Sequence, residues 1–250
     1  MAKKKLTAAE TRQKFYENFY KAKEVLKNRR KFIKKYSDDP IFMTVGLDLG
    51  MGKTGFATCN YKTGMMAPYL IKPKGKTRYL RLHDIVQNIN GKMKLIPPLL
   101  IGIENYNFGF RQGASIITSI AELGGVARYG LGNLRSRILQ ISPMQLKKWV
   151  LGVGRGDKNL ILLGVYKRYG IECKTDDEAD AIVLADIARC FSLWVLKGKL
   201  ESSDDDYLRE YLKNPPKLFK RKDIKIRKAQ WEILVTLVTE QGDKLDQFDI

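Results

Sequence analysis

Continuous apolar runs of strand length alternate along this chain with stretches whose apolar residues recur every three or four positions. The runs IFMTVGLDL and PPLLIGIE are the clearest of the first kind, and DDEADAIVLADIARCF of the second. This patterning predicts strands near 42–49, 54–60, 66–72, 98–104 and 137–141. Helical spacing predicts helices near 77–90, 112–129, 143–150, 157–169 and 177–196. Three early strands on short connections, followed by strands alternating with helices, imply an α/β core: a mixed five-stranded sheet flanked by helices.

The two ends have a different character. TAAE at 7–10 is a capping-box pattern, and Phe15, Phe19, Ala22, Leu26 and Ile33 follow at near-helical spacing before SDDP at 37–40 breaks the run. Beyond 198 come an acidic patch, Pro215-Pro216, the basic run KLFKRKDIKIRK and a helical segment around WEILVTLV. The expected organisation is a basic N-terminal helical arm (1–40), a central domain (41–197) and a basic C-terminal extension (198–250), the last read as a partly ordered appendage. No internal repeat is apparent.

Charge changes the picture. The formal net charge of +19 far exceeds what solubility needs and points to a polyanionic partner, nucleic acid first. The first 35 residues alone carry thirteen basic side chains against three acidic ones. No apolar run reaches the roughly 18 residues of a membrane span, and the start MAKKKL lacks an apolar signal core. The expectation is a cytoplasmic protein of a bacterial or virus-infected cell. Cys59, Cys173 and Cys190 are scattered without a CxxC pair, so neither a disulfide framework nor a cysteine zinc site is indicated. His83, the only histidine, sits in a helical pattern and is read as structural, which argues against a serine–histidine triad.

Carboxylates close both apolar strand runs. Asp48 ends the first and Glu104 the second, where a buried ionised acid is expensive unless a cation or strong hydrogen bonds compensate. The alternative is that each strand simply ends there, with the acid solvated. A third acidic element opens the last helix: Asp177 and Asp180 are three residues apart, hence on one face. Asp180 lies in line with Leu184 and Ile187, the side that should pack on the sheet. Ordinary capping and the helix dipole account for Asp176 and Glu178 but less well for Asp180. Three such sites could converge on two magnesium ions, with manganese able to substitute. A pair about 3.5–4 Å apart suits phosphodiester hydrolysis.

The stretch GLDLGMGKTGFA, with three glycines and Lys53 after Asp48, offers a second reading, a phosphate cradle. It does not match the P-loop GxxxxGK[ST]. It does look like the first phosphate loop of the actin and sugar-kinase superfamily, but no second Asp-Gly lobe follows and the charge would be unexplained. Taken with IGIEN, QGASIITSIAELGGVARYG, SPMQLKKWVLGVGRGDK and DDEADAIVLADIA in that order, the chain over 42–195 resembles the RuvC-type Holliday-junction resolvases of the ribonuclease H-like fold.

That resemblance implies catalytic and metal-binding carboxylates at Asp48, Glu104, Asp177 and Asp180, with Lys147 and Lys158 as basic residues near them. It implies a homodimer that cuts branched DNA, four-way junctions foremost, leaving 5′-phosphate and 3′-hydroxyl ends. The stripe Ile116, Ile117, Ile120 and Leu123 fits either a dimer interface or core. Tyr106 and Phe108 beside Arg111 either stack on an unpaired base or belong to the core, and Lys53 and Arg111 are candidate nucleic-acid contacts. The basic arms depart from the compact cellular pattern, with a viral origin among the options. Three rival readings stay open: a related nuclease acting on flaps or RNA–DNA hybrids, an ATPase, and a catalytically silent DNA-architectural protein.

Overall fold

The computed structural model describes residues 43–61, 63–95, 98–105, 114–133, 137–197 and 221–241, together with Glu17. The N-terminal arm and the run 198–220 lie outside the described residues. Five strands, β1 (Met43–Asp48), β2 (Thr54–Asn60), β3 (Met66–Ile71), β4 (Pro98–Glu104) and β5 (Ile138–Ile141), form one sheet in the order β3-β2-β1-β4-β5. The first three make an antiparallel meander, and β4 and β5 add in parallel to β1. The helices are α1 (Arg78–Leu95), α2 (Ala114–Asn133), α3 (Pro143–Leu151), α4 (Lys158–Tyr169), α5 (Asp176–Lys197) and α6 (Arg221–Gln241). The mixed five-stranded sheet flanked by helices is thus as the patterning predicts. Helices α1 and α2 run a few residues past their expected ends, through Gly91 and Gly130, because glycine weakens a helix without ending it.

Strand alternation divides the core into two layers. Val45, Leu47, Ile101 and Ile103 point to α1 and α2, where Ile85, Ile89, Leu123 and Leu131 complete one cluster. The intervening residues, Thr44, Gly46 and Gly102, face α5, the apolar helix that crosses the middle of the sheet. A Cβ on Gly46 would stand 1.9 Å from the Ala181 carbonyl oxygen, and one on Gly102 2.5 Å from that of Leu184. Strand glycines therefore let the helix backbone rest directly on the sheet. The Thr44 hydroxyl donates to the Ala185 carbonyl at 3.0 Å, fixing the helix along its axis.

Helix α3 starts with the reciprocal capping box of Ser142 and Gln145 behind Pro143, and stops at Gly152 in the left-handed conformation. Asp157 caps α4 and Gly170 ends it. These turns set α3 and α4 as a hairpin over α5. Helix α6 falls in the segment read as an appendage, yet Ile233, Leu234, Val235, Leu237 and Val238 are buried in the same cluster as α3 and α5. The helix around WEILVTLV forms as expected, but it is a working part of the core. None of the described helices is long and apolar enough to cross a membrane.

Candidate active site

Parallel pairing of β1 and β4 in the register Leu47↔Ile103 brings the next residues, Asp48 and Glu104, to the same end of the sheet. Their side chains share a hydrogen bond. Helix α5 begins at this end: a Cβ on Gly55, the β2 partner of Asp48, would lie 1.9 Å from the Asp177 carbonyl oxygen. The absent side chain at 55 lets the first turn of α5 come down beside the strand ends, which delivers Asp177 and Asp180. All four predicted carboxylates meet.

Their mutual proximity is legible in their acidities. Burial, then the charges of Asp48, Asp176 and Asp177, push Asp180 up to about 7, with Lys147 pulling in the opposite direction. Burial also raises Glu104, to about 9, reinforced by the charges of Asp48 and Asp180. Asp48 rises to about 6, again chiefly through burial, although its hydrogen bond with Glu104 opposes the shift. Asp48 and Glu104 titrate as a pair that holds one proton between them near neutral pH. Four acids held this close, and half out of water, repel one another unless protons or cations intervene.

Cations stand around the group. Lys53, at the β1–β2 turn, pairs with Asp177 at 3.1 Å. Lys158, exposed at the first position of α4, pairs with Asp176, which raises the lysine and lowers the acid. Lys147 on α3 donates to the Gly156 carbonyl at 3.2 Å, and its charge reaches both Glu104 and Asp180. Lys53, Lys147 and Lys158 are therefore all at the site. Tyr106, Phe108 and Arg111 lie outside the described residues. His83 is exposed on α1 and stacks on Tyr79. In the apolar stripe of α2, Leu123 is core, and Ile117 and Ile120 are half-buried.

Two features of the site were not read from the sequence. Helix capping and the dipole suffice for Asp176 in the sequence, yet its charge bears on both Asp48 and Asp180. The strand glycines 46, 55 and 102 carried a signal, since glycine inside a strand pattern marks close backbone approach.

Divalent cations suit this group by its chemistry: hard carboxylate oxygens, with Asp180 Oδ1 buried and lacking any hydrogen-bond partner. No cluster of three or more His, Cys, Asp or Glu poised to hold a metal occurs among the described residues.

The sheet order, the helix laid across it and the acids at one end define the ribonuclease H-like α/β class. Solved structures agree: a RuvC of T. thermophilus in complex with a Holliday junction substrate superposes with a TM-score of 0.52 at 16% identity, over 63% of this chain and 96% of that one. A second Thermus thermophilus RuvC structure gives a TM-score of 0.50. No family model matches the chain. Among curated proteins, a crossover junction endodeoxyribonuclease RuvC from Prochlorococcus marinus is 30% identical over 147 residues, 56% of this chain and 94% of that protein. Its counterpart in Caldanaerobacter subterraneus is 25% identical over 154 residues, 92% of its length. The chain belongs to the RuvC family of crossover junction endodeoxyribonucleases.

Proposed function

We propose that this protein is a divalent-cation-dependent endonuclease that resolves branched DNA, four-way junctions foremost, by paired phosphodiester hydrolysis leaving 5′-phosphate and 3′-hydroxyl ends. The observation that carries the reading is the convergence of Asp48, Glu104, Asp177 and Asp180, with the buried Asp180 Oδ1 unpartnered. These four would hold the metal. Two magnesium ions, or manganese in their place, would supply positive charge for both the attacking and the leaving oxygen of a phosphodiester.

The remaining work belongs to the chain. Asp48 and Glu104 surrender the proton between them so that both present anionic oxygens. Lys158, 80% exposed, can leave Asp176 for a substrate phosphate as that acid turns to the cation. Lys147 stays tethered to Gly156 and keeps a positive charge over Glu104 and Asp180. Lys53, at the β1–β2 turn beside Asp177, would contact a strand crossing the sheet end. The likeness to a Thermus RuvC bound to a Holliday junction supports branched DNA as substrate here. Symmetric junctions call for two sites, and exposed Val126 and Tyr129 give α2 an apolar outer side that a second copy would cover.

A labelled mobile four-way junction incubated with magnesium tests the reading, with Asp48→Asn alongside and linear, flap and RNA–DNA hybrid substrates as comparison. Paired, symmetric nicks in the junction from the unmodified protein alone are expected. Equal cutting of linear duplex, or cutting that survives Asp48→Asn, would sink it.

A further inference from the structure

Antiparallel pairing returns β3 to the end of the sheet where the carboxylates lie. Asp48 pairs with Gly55, and Thr54 with Ile71, so the chain leaving β3 emerges two strands from β1 at that same end. Adjacent strands are about 4.8 Å apart, which places this exit about 10 Å to one side of Asp48. What emerges there is KPKGKTRYLR, residues 72–81, with five basic and no acidic side chains.

This segment is held in shape. The main-chain N–H groups of Lys74 and Gly75 both donate to Asp84 Oδ2, at 2.9 and 2.8 Å. Arg81 Nε donates to the Gly75 carbonyl at 3.1 Å. A Cβ on Gly75 would come within 2.5 Å of Leu80 Cβ, so the loop lies directly on the first turn of α1. Asp84, the nearest acid, is thus turned inward onto the loop backbone. Arg78 is matched by Glu122 at 2.6 Å. Lys72, Lys74 and Lys76 are exposed, and among the described residues none has an ion-pair partner.

We infer that the β3–α1 loop is a second phosphate-binding site, which grips the DNA backbone with Lys72, Lys74 and Lys76 about three nucleotides from the phosphate over Asp48. The spacing follows from the offset, since one strand of a duplex advances about 3.4 Å per nucleotide. Contacts of this kind are sequence-independent and set the register of the strand over the carboxylates. The inference rests on the proposed nuclease reading for its substrate, but it makes a separate demand on binding.

The experiment measures DNA affinity against salt in the non-cleaving Asp48→Asn background, on a four-way junction and on linear duplex. Lys74→Gln/Lys76→Gln is compared with Lys94→Gln/Lys167→Gln, which removes the same charge elsewhere. The loop pair should make the slope of log affinity against log salt shallower by about 2 on both DNAs, and the control pair should change it by less than half as much. Asp84→Ala adds to the net positive charge yet releases the loop, so weaker binding is expected from it. Equal slopes for the two lysine pairs, or tighter binding by Asp84→Ala, would overturn the assignment. An unmodified protein without junction preference would count against the branched-DNA reading, while the slope comparison on linear duplex would still decide the loop.

Discussion

The side-chain amide of Gln241 makes two hydrogen bonds to the main chain of Gln140: its Oε1 accepts from the Gln140 N–H at 2.9 Å and its Nε2 donates to the Gln140 carbonyl at 2.7 Å. Gln140 lies on β5, an edge strand of the sheet, and Gln241 is the last residue of α6. One amide thus occupies the positions that a neighbouring strand would use. Edge strands with free main-chain groups recruit other chains, and this pairing blunts the edge where β5 is barely four residues long.

Gln241→Ala should therefore cost about 1 kcal/mol of stability. Gln241→Glu should cost at least as much, because it keeps an acceptor but loses the donor to the Gln140 carbonyl. Denaturant titration of the three proteins checks this, and an unchanged midpoint for both variants would show that the edge needs no such cover.

Gly46→Ala is expected to be far more damaging than an added methyl group suggests. The new Cβ would be directed at the main chain of α5, 1.9 Å from the Ala181 oxygen and 2.5 Å from the Ala185 nitrogen, and neither atom can rotate away. The helix would have to rise off the sheet, carrying Asp177 and Asp180 with it. Overpacking of this kind typically costs about 1–3 kcal/mol, occasionally more. Loss of both stability and cleavage, seen by thermal melting and a nicking assay, is the expected outcome; a folded variant of ordinary activity would mean that α5 does not depend on the glycine floor.

Asp186 ties the helical layer together. Buried on α5, it accepts from Trp149 Nε1 on α3 at 2.9 Å and from the Tyr169 hydroxyl on α4 at 2.7 Å, with Arg168 at 3.5 Å. Asp186→Ala leaves the indole N–H and the phenol without their acceptor and should destabilise the fold by about 3 kcal/mol. Tyr169→Phe removes one donor only and should cost less. Equal losses in urea titrations would contradict the shared-acceptor account.

Much of this was legible in the sequence, for physical reasons. Continuous apolar runs and period-3.6 patterns located every strand and helix of the central domain, because strands such as β1 and β4 are buried on both faces while each helix buries one. Asp48 and Glu104 stood out because an acid at the end of an apolar run is costly to bury. Asp180 stood out because it broke the apolar face of a helix. The β5 edge and its cover could not be seen: Gln140 and Gln241 are a hundred positions apart, and neither is unusual where it stands. WEILVTLV read correctly as a helix, but whether a helix packs on the core or hangs free depends on a partner surface that local spacing does not name. The convergence of Asp176 was hidden by the adequacy of its role as a capping acid.

The crowding of acids makes stability depend on pH and on divalent cations in a linked way. Asp180 rises from 3.8 to about 7 on folding, so the folded protein binds that proton more tightly than the unfolded chain. Its contribution is fully present below about pH 4 and is lost as pH climbs through 7; Glu104, at about 9, extends the window upward. In the presence of a chelator, the unmodified protein should lose on the order of 2 kcal/mol from Asp180 alone between pH 5.5 and 8.5, with Glu104 deepening the fall. For a chain of this size that corresponds to a fall of roughly 4–8 °C in Tm. On the proposed metal binding magnesium would replace the protons, so its stabilising effect should be larger at pH 8.5 than at pH 5.5. Asp180→Asn separates this from the general titration of a basic protein. With one charge fewer to keep apart, the variant should melt above the unmodified protein at pH 8.5 in chelator, and it should gain less from magnesium. Thermal melts of both proteins at the two pH values, with chelator and with magnesium, decide the matter. If Asp180→Asn melts lower than the unmodified protein at pH 8.5 without metal, the acids are not in the strained contact described above.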